Sequence, residues 1–88
     1  MEVKEIRRKY LELNKEKLIE NIVINEIDIE VVTAKLAEIK DMPKTLKNKD
    51  GDEVLTQHGE LETRLENAKN MIEACEDTVK IIEAKLNE

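Results

Sequence analysis

Two long stretches of this chain space their apolar residues in heptads, and a short polar stretch separates them. In the C-terminal third, Leu61, Leu65, Ala68, Ile72, Cys75, Val79, Ile82 and Leu86 follow one another in alternating steps of four and three. That alternation averages half of seven and holds one stripe of side chains against a neighbouring helix along its whole length. A helix over residues 57–87 follows, roughly 45 Å long at 1.5 Å per residue. Thr56 is placed to cap it, with Glu60 and Glu62 near its positive end.

The N-terminal half predicts a partner helix over about 2–41, stopped by Met42-Pro43, because proline lacks the amide proton and disfavours helical geometry in the residue before it. Its stripe runs through Leu18, Ile22, Asn25, Ile29, Val32, Leu36 and Ile39. The β-branched run from Ile22 to Val32 is the ambiguous part. Ile27, Ile29 and Val31 alternate as a strand does, and Asn25 is able to cap a restart that divides the segment into two helices. The heptad stripe passes through this run unbroken and favours helix. Asn25 on that stripe also suits a register-setting role.

The connection, residues 42–56, carries Asp50-Gly51, a strong two-residue turn signal. Flanking arms Thr45–Asn48 and Glu53–Thr56 either pair as a small β-hairpin or leave a plain turn. A competing start of the second helix near Asp52 is disfavoured by Gly59, which costs about 1 kcal/mol relative to Ala inside a helix. The expected architecture is all-α: an antiparallel, coiled-coil-like helical hairpin in one domain spanning 1–88, assembling into a multi-helix bundle.

The assembly follows from a second apolar face. At about 100° per residue, Ile6, Leu13, Ile24, Ile27 and Val31 fall nearly opposite the first stripe. Met71, Ala74, Thr78 and Ile81 repeat this more weakly on the second helix. A helix apolar on two sides calls for two neighbours, and the hairpin supplies one. Self-association into a four-helix bundle is the expected source of the other, with a different partner protein as the alternative. A third arrangement folds residues 1–20 back as a separate short helix over that face.

Composition narrows the functions. Of the 88 residues, 41% are charged, Tyr10 is the only aromatic, and serine is absent. Such a chain fits long helices better than an aromatic-packed enzyme core. A lone Cys75 excludes an internal disulfide, and no apolar run reaches membrane-spanning length. A cytoplasmic protein without membrane attachment is expected. The net charge of −6 is uneven. Residues 1–49 hold eleven basic and ten acidic groups, and residues 50–88 hold four and eleven. The acidic half argues against duplex nucleic acid as the main partner.

Chemistry is sparse. Cys75 sits on the seam, where thiols are inert, and His58 lies seventeen residues away, roughly 25 Å along one helix. His58 is expected to be exposed at the helix start. One His and one Cys make no metal motif. A calcium-type loop around Gly51 fails because Leu46 and Gln57 fall where carboxylates are required. No glycine-rich phosphate loop occurs. No catalytic role, metal or cofactor is expected.

Two binding constellations remain. Arg7, Arg8, Lys9 and Tyr10 form the only dense basic cluster beside the only aromatic, suited to an anion or small nucleotide where several chains converge. The plainer reading is a solvated helix start. Glu60, Glu62, Glu66, Glu73, Glu76, Asp77 and Glu83 make the second helix an acidic rod that fits a basic nucleic-acid groove on another protein; solubility explains it more simply. The expected function is therefore a non-catalytic, self-associating protein that acts by binding. Usage rich in Lys, Ile, Asn and Glu fits a small protein of a low-GC bacterium or its phage. On that reading the alternative is an antagonist of a host defence system, occupying a host nucleic-acid enzyme or sequestering a nucleotide signal. A further alternative is an assembly or chaperone accessory. The outline alone is similar to prefoldin subunits, which is too little to carry over any residue's role.

Overall fold

The β-branched run from Ile22 to Val32 is helical throughout. A computed structural model describes residues 2–88, and in it one uninterrupted helix, α1, spans Val3–Glu38. Asn25 does not cap a restart; its side-chain amide donates to the carbonyl of Asn21 one turn back at 2.8 Å. The order is completed by β1 (Thr45–Lys47), β2 (Glu53–Leu55) and α2 (Gln57–Leu86). Among the described residues no separate short helix forms before position 20, because residues 3–20 are the first half of α1 itself.

The two helices pack antiparallel along the expected stripes. On α2 the buried residues Leu61, Ala68, Cys75 and Ile82 recur every seventh position, and Leu65, Ile72, Val79 and Leu86 between them are half-buried. On α1, Val32 is completely buried; Leu11, Leu18, Ile22, Asn25, Ile29 and Leu36 are half-buried along the same side, as is Ile39 just past its end. Two ion pairs cross between the helices, Lys15 with Glu83 at 3.4 Å and Asp28 with Arg64. At the open end, the Arg8 guanidinium donates to the carbonyl of Leu86, a group left without a partner by the end of α2.

The reversal starts earlier than proline alone required. α1 ends at Glu38, and Ile39 leaves helical geometry with φ −118° and ψ 25°. The amide of Met42 then bonds the carbonyl of Ile39 at 3.0 Å, so a turn occupies the last residues before Pro43. The strands pair antiparallel with Thr45 opposite Leu55, Leu46 opposite Val54 and Lys47 opposite Glu53. The loop is not the expected two-residue turn on Asp50-Gly51. Asn48 bonds across to Asp52 through its amide at 2.9 Å, and its side-chain oxygen accepts from the amides of Asp50 and Asp52. Among the described residues only Gly51 has positive φ, at 83°. That is the glycine a three-residue hairpin loop requires.

Thr56 caps α2 as expected, accepting from the amide of Gly59 at 3.4 Å. Its hydroxyl donates to Pro43 and its amide to Lys44, which locks the hairpin to the helix start. Gly59 is buried there. A Cβ at that position collides with the carbonyl of Lys44 and comes within 2.8 Å of a Leu55 methyl. The helix penalty of this glycine is thus the condition for close approach of the connection.

The result is a flat rod, 65 × 27 × 17 Å, with a radius of gyration of 19.5 Å. A compact chain of this length would have about 12 Å.

Candidate functional site

With α2 covering one side of α1, the opposite side of α1 has no neighbour among the described residues. Ile6, Leu13, Ile24, Ile27 and Val31 all lie exposed there, Ile24 at 61% and even the least open, Val31, at 42%. Val3 and Tyr10 belong to the same row and are exposed too, Tyr10 at 67%. The heptad offset from the seam reveals both: every member of the row sits a fixed number of positions from a seam residue, so steps of three and four carry it from Val3 through Ile6, Tyr10 and Leu13. After an interruption it resumes at Ile24, Ile27 and Val31. Two exposed apolar stretches aligned on one side of a helix are characteristic of a contact face. On α2 the weaker counterpart is open as well: Met71 and Ile81 are more than half exposed, and Thr78 turns its hydroxyl onto the carbonyl of Ala74.

The four residues of the basic cluster do not converge. Consecutive positions on a helix point about 100° apart, so Arg7, Arg8, Lys9 and Tyr10 span most of its circumference. Arg7 and Arg8 line a groove at the open end of the hairpin with Lys4, Leu11, Lys85 and Leu86, where Glu5 and Glu88 oppose their charge. Arg8 is already engaged, with the Leu86 carbonyl and with Glu12 at 3.4 Å. Lys9 and Tyr10 do not line that groove.

The acidic rod also divides. Glu83 pairs with Lys15, and Glu62 holds both Lys44 at 2.9 Å and His58 at 3.1 Å. Glu60, Glu66, Glu73, Glu76 and Asp77 remain exposed. The Lys44 ammonium hydrogen-bonded to Glu62 lowers that carboxyl below its usual range, with His58 adding to the effect. Asp28 is lowered in the same way by its hydrogen bonds from Arg64, whose own value rises in return.

His58 departs from expectation. Instead of facing water it is tucked under the connection, with Nδ1 2.7 Å from the carbonyl of Met42 and Nε2 against Glu62. A carbonyl only accepts, so Nδ1 is the donor in that bond; Nε2 donates to the Glu62 carboxylate when it too carries a proton. The ring therefore joins the end of the first helical arm to the first turn of the second. Cys75 is buried in the seam. Among the described residues, no group of three or more His, Cys, Asp or Glu is arranged to hold a metal ion. Among the described residues, no helix is long and apolar enough to cross a membrane.

Compared with known family models, curated proteins and solved structures, the chain matches none.

Proposed function

We propose that this protein acts by binding, as a self-associating module in which α1 supplies the interface. One observation carries the reading: apart from Lys17 and Glu20 at its centre, the row from Ile6 to Val31 is apolar, and it is open on the side of α1 away from α2. Burying a half-exposed Ile or Leu removes apolar surface from water at about 25 cal/mol per Å². A second copy of the chain brings the same row at equal concentration. The total exposed surface, 6955 Å², agrees in direction. A compact monomer of this size exposes about 5,300 Å².

Light scattering tests the reading directly. A mass above that of one chain is expected. Ile27→Asp with Val31→Asp should return it to the monomer, since each charge would be desolvated in the contact. A wild-type protein that stays monomeric at every concentration refutes the reading.

A second reading keeps the acidic side of α2 for a different partner. Glu66, Glu73, Glu76 and Asp77 are exposed and, among the described residues, take part in no ion pair, which leaves them free to meet a basic groove on a nucleic-acid enzyme. A host-defence antagonist would bind such an enzyme with an affinity that falls steeply as salt rises. Binding unaffected by salt counts against it.

A further inference from the structure

The exposed row on α1 is interrupted at two positions only, Lys17 and Glu20, and these stand at its centre. About the midpoint between Leu18 and Ile19 the row is symmetric. Leu13 and Ile24 lie equally far on either side, as do Tyr10 and Ile27, then Ile6 and Val31, and finally Val3 and Ala34. Residue types mirror as well: apolar matches apolar at every step, and the one basic residue mirrors the one acidic residue. We infer that two copies of this chain associate through an antiparallel α1–α1 contact whose two-fold axis passes between Leu18 and Ile19, placing Lys17 against Glu20 of the partner subunit. This rests on the self-association proposed above and specifies its geometry.

An antiparallel pair of heptad helices sets each layer from one position of one helix and the other position of its neighbour. With the axis at that midpoint, Leu13 meets the partner's Ile24, and Tyr10 meets the partner's Ile27. Each layer occurs twice, because the contact is isologous. Lys17 and Glu20 are exposed and, among the described residues, take part in no ion pair within the chain. Across the axis they form two ion pairs.

Charge excludes the competing registers. Sliding one helix by a heptad sets Lys17 against Leu13 or Ile27 of the other copy, and Glu20 against Tyr10 or Ile24. Those registers desolvate unpaired charges. A parallel pair sets Lys17 against Lys17 and Glu20 against Glu20, a like-charge clash. On the flank, the antiparallel register also brings Lys9 within two residues of level with the partner's Glu30, again opposite in sign. The contact row lies about 150° around α1 from the seam facing α2 in heptad geometry. The four helices therefore form a layer in the order α2, α1, α1, α2, with α1 at the centre, rather than a square bundle.

Two sets of variants test this, each checked for unchanged helicity by circular dichroism. Lys17→Glu and Glu20→Lys each set like charges in both central layers and should weaken the dimer about tenfold or more by sedimentation. Mixing the two single variants should restore a dimer of wild-type strength, containing one of each. The double exchange in one chain should also restore it, which a parallel pair would not do. In a Cys75→Ala background, mild oxidation of Leu13→Cys mixed with Ile24→Cys should give a covalent heterodimer, and neither alone should cross-link. If the wild type is dimeric but the charge variants keep full strength, or Leu13→Cys links to itself, this geometry is overturned while self-association stands. If the wild type is monomeric, both fall, and the row belongs to a different protein.

Discussion

Gly59 shows how a residue that weakens a helix can be required by it. Alanine has the better helix propensity by about 1 kcal/mol, yet its Cβ would strike the Lys44 carbonyl. Gly59→Ala should therefore lower stability by about 1–3 kcal/mol in chemical denaturation, as overpacking does. An unchanged or raised midpoint would show that the connection yields. His58 acts on the same joint. His58→Ala removes the bonds to Met42 and Glu62, and a loss of about 1–2 kcal/mol is expected by the same measurement. Neither role was legible in the sequence. A lone His and a glycine near a helix start have no periodic pattern, and what they touch lies about fifteen residues away.

At the scale of elements, the seam carries the pairing of α1 with α2, and Val32 is its most enclosed member. Val32→Ala should cost about 2 kcal/mol, part lost transfer energy and part cavity. Acid should loosen this pair of helices through Asp28 and the joint at the connection through Glu62. Asp28 and Glu62 are held below their ordinary values, so the folded state binds fewer protons than the unfolded one in that range. Their contribution is present at neutral pH and is lost as pH falls from the ordinary carboxylate range through the lowered folded values. Thermal melts should show stability declining through that window, and Asp28→Asn should flatten part of the decline. If the variant's acid profile matches the wild type, the Asp28–Arg64 pair contributes nothing across the helices. The heptad spacing made both helices and their facing stripes legible, and it outweighed the β-branched run because a strand has no partner strands here. The loop was only half legible: Asp50-Gly51 marked the turn, but Asn48 determined its length by collecting the amides beyond it.

For the whole molecule the governing fact is shape. A rod 65 Å long and 17 Å thick has little interior, so apolar residues of α1 beyond the seam can only be covered from outside. The antiparallel contact centred between Leu18 and Ile19 lies nearer the open end than the hairpin tip. Two rods joined there would overlap in part and extend to about 85 Å, with hairpin tips at opposite ends. Small-angle scattering should find that length in the dimer. A longest dimension close to that of one rod would instead indicate rods stacked in full overlap.

The chain's order of residues by itself determined the two helices, the stripe each turns to the other, and the surplus row on α1, because heptad spacing is a property of sequence that a helix translates directly into faces. Only the tertiary structure decided where α1 stops, how the loop closes, and that His58 and Gly59 serve the joint. These depend on atoms brought together from opposite ends of the connection, and no local pattern encodes such a meeting.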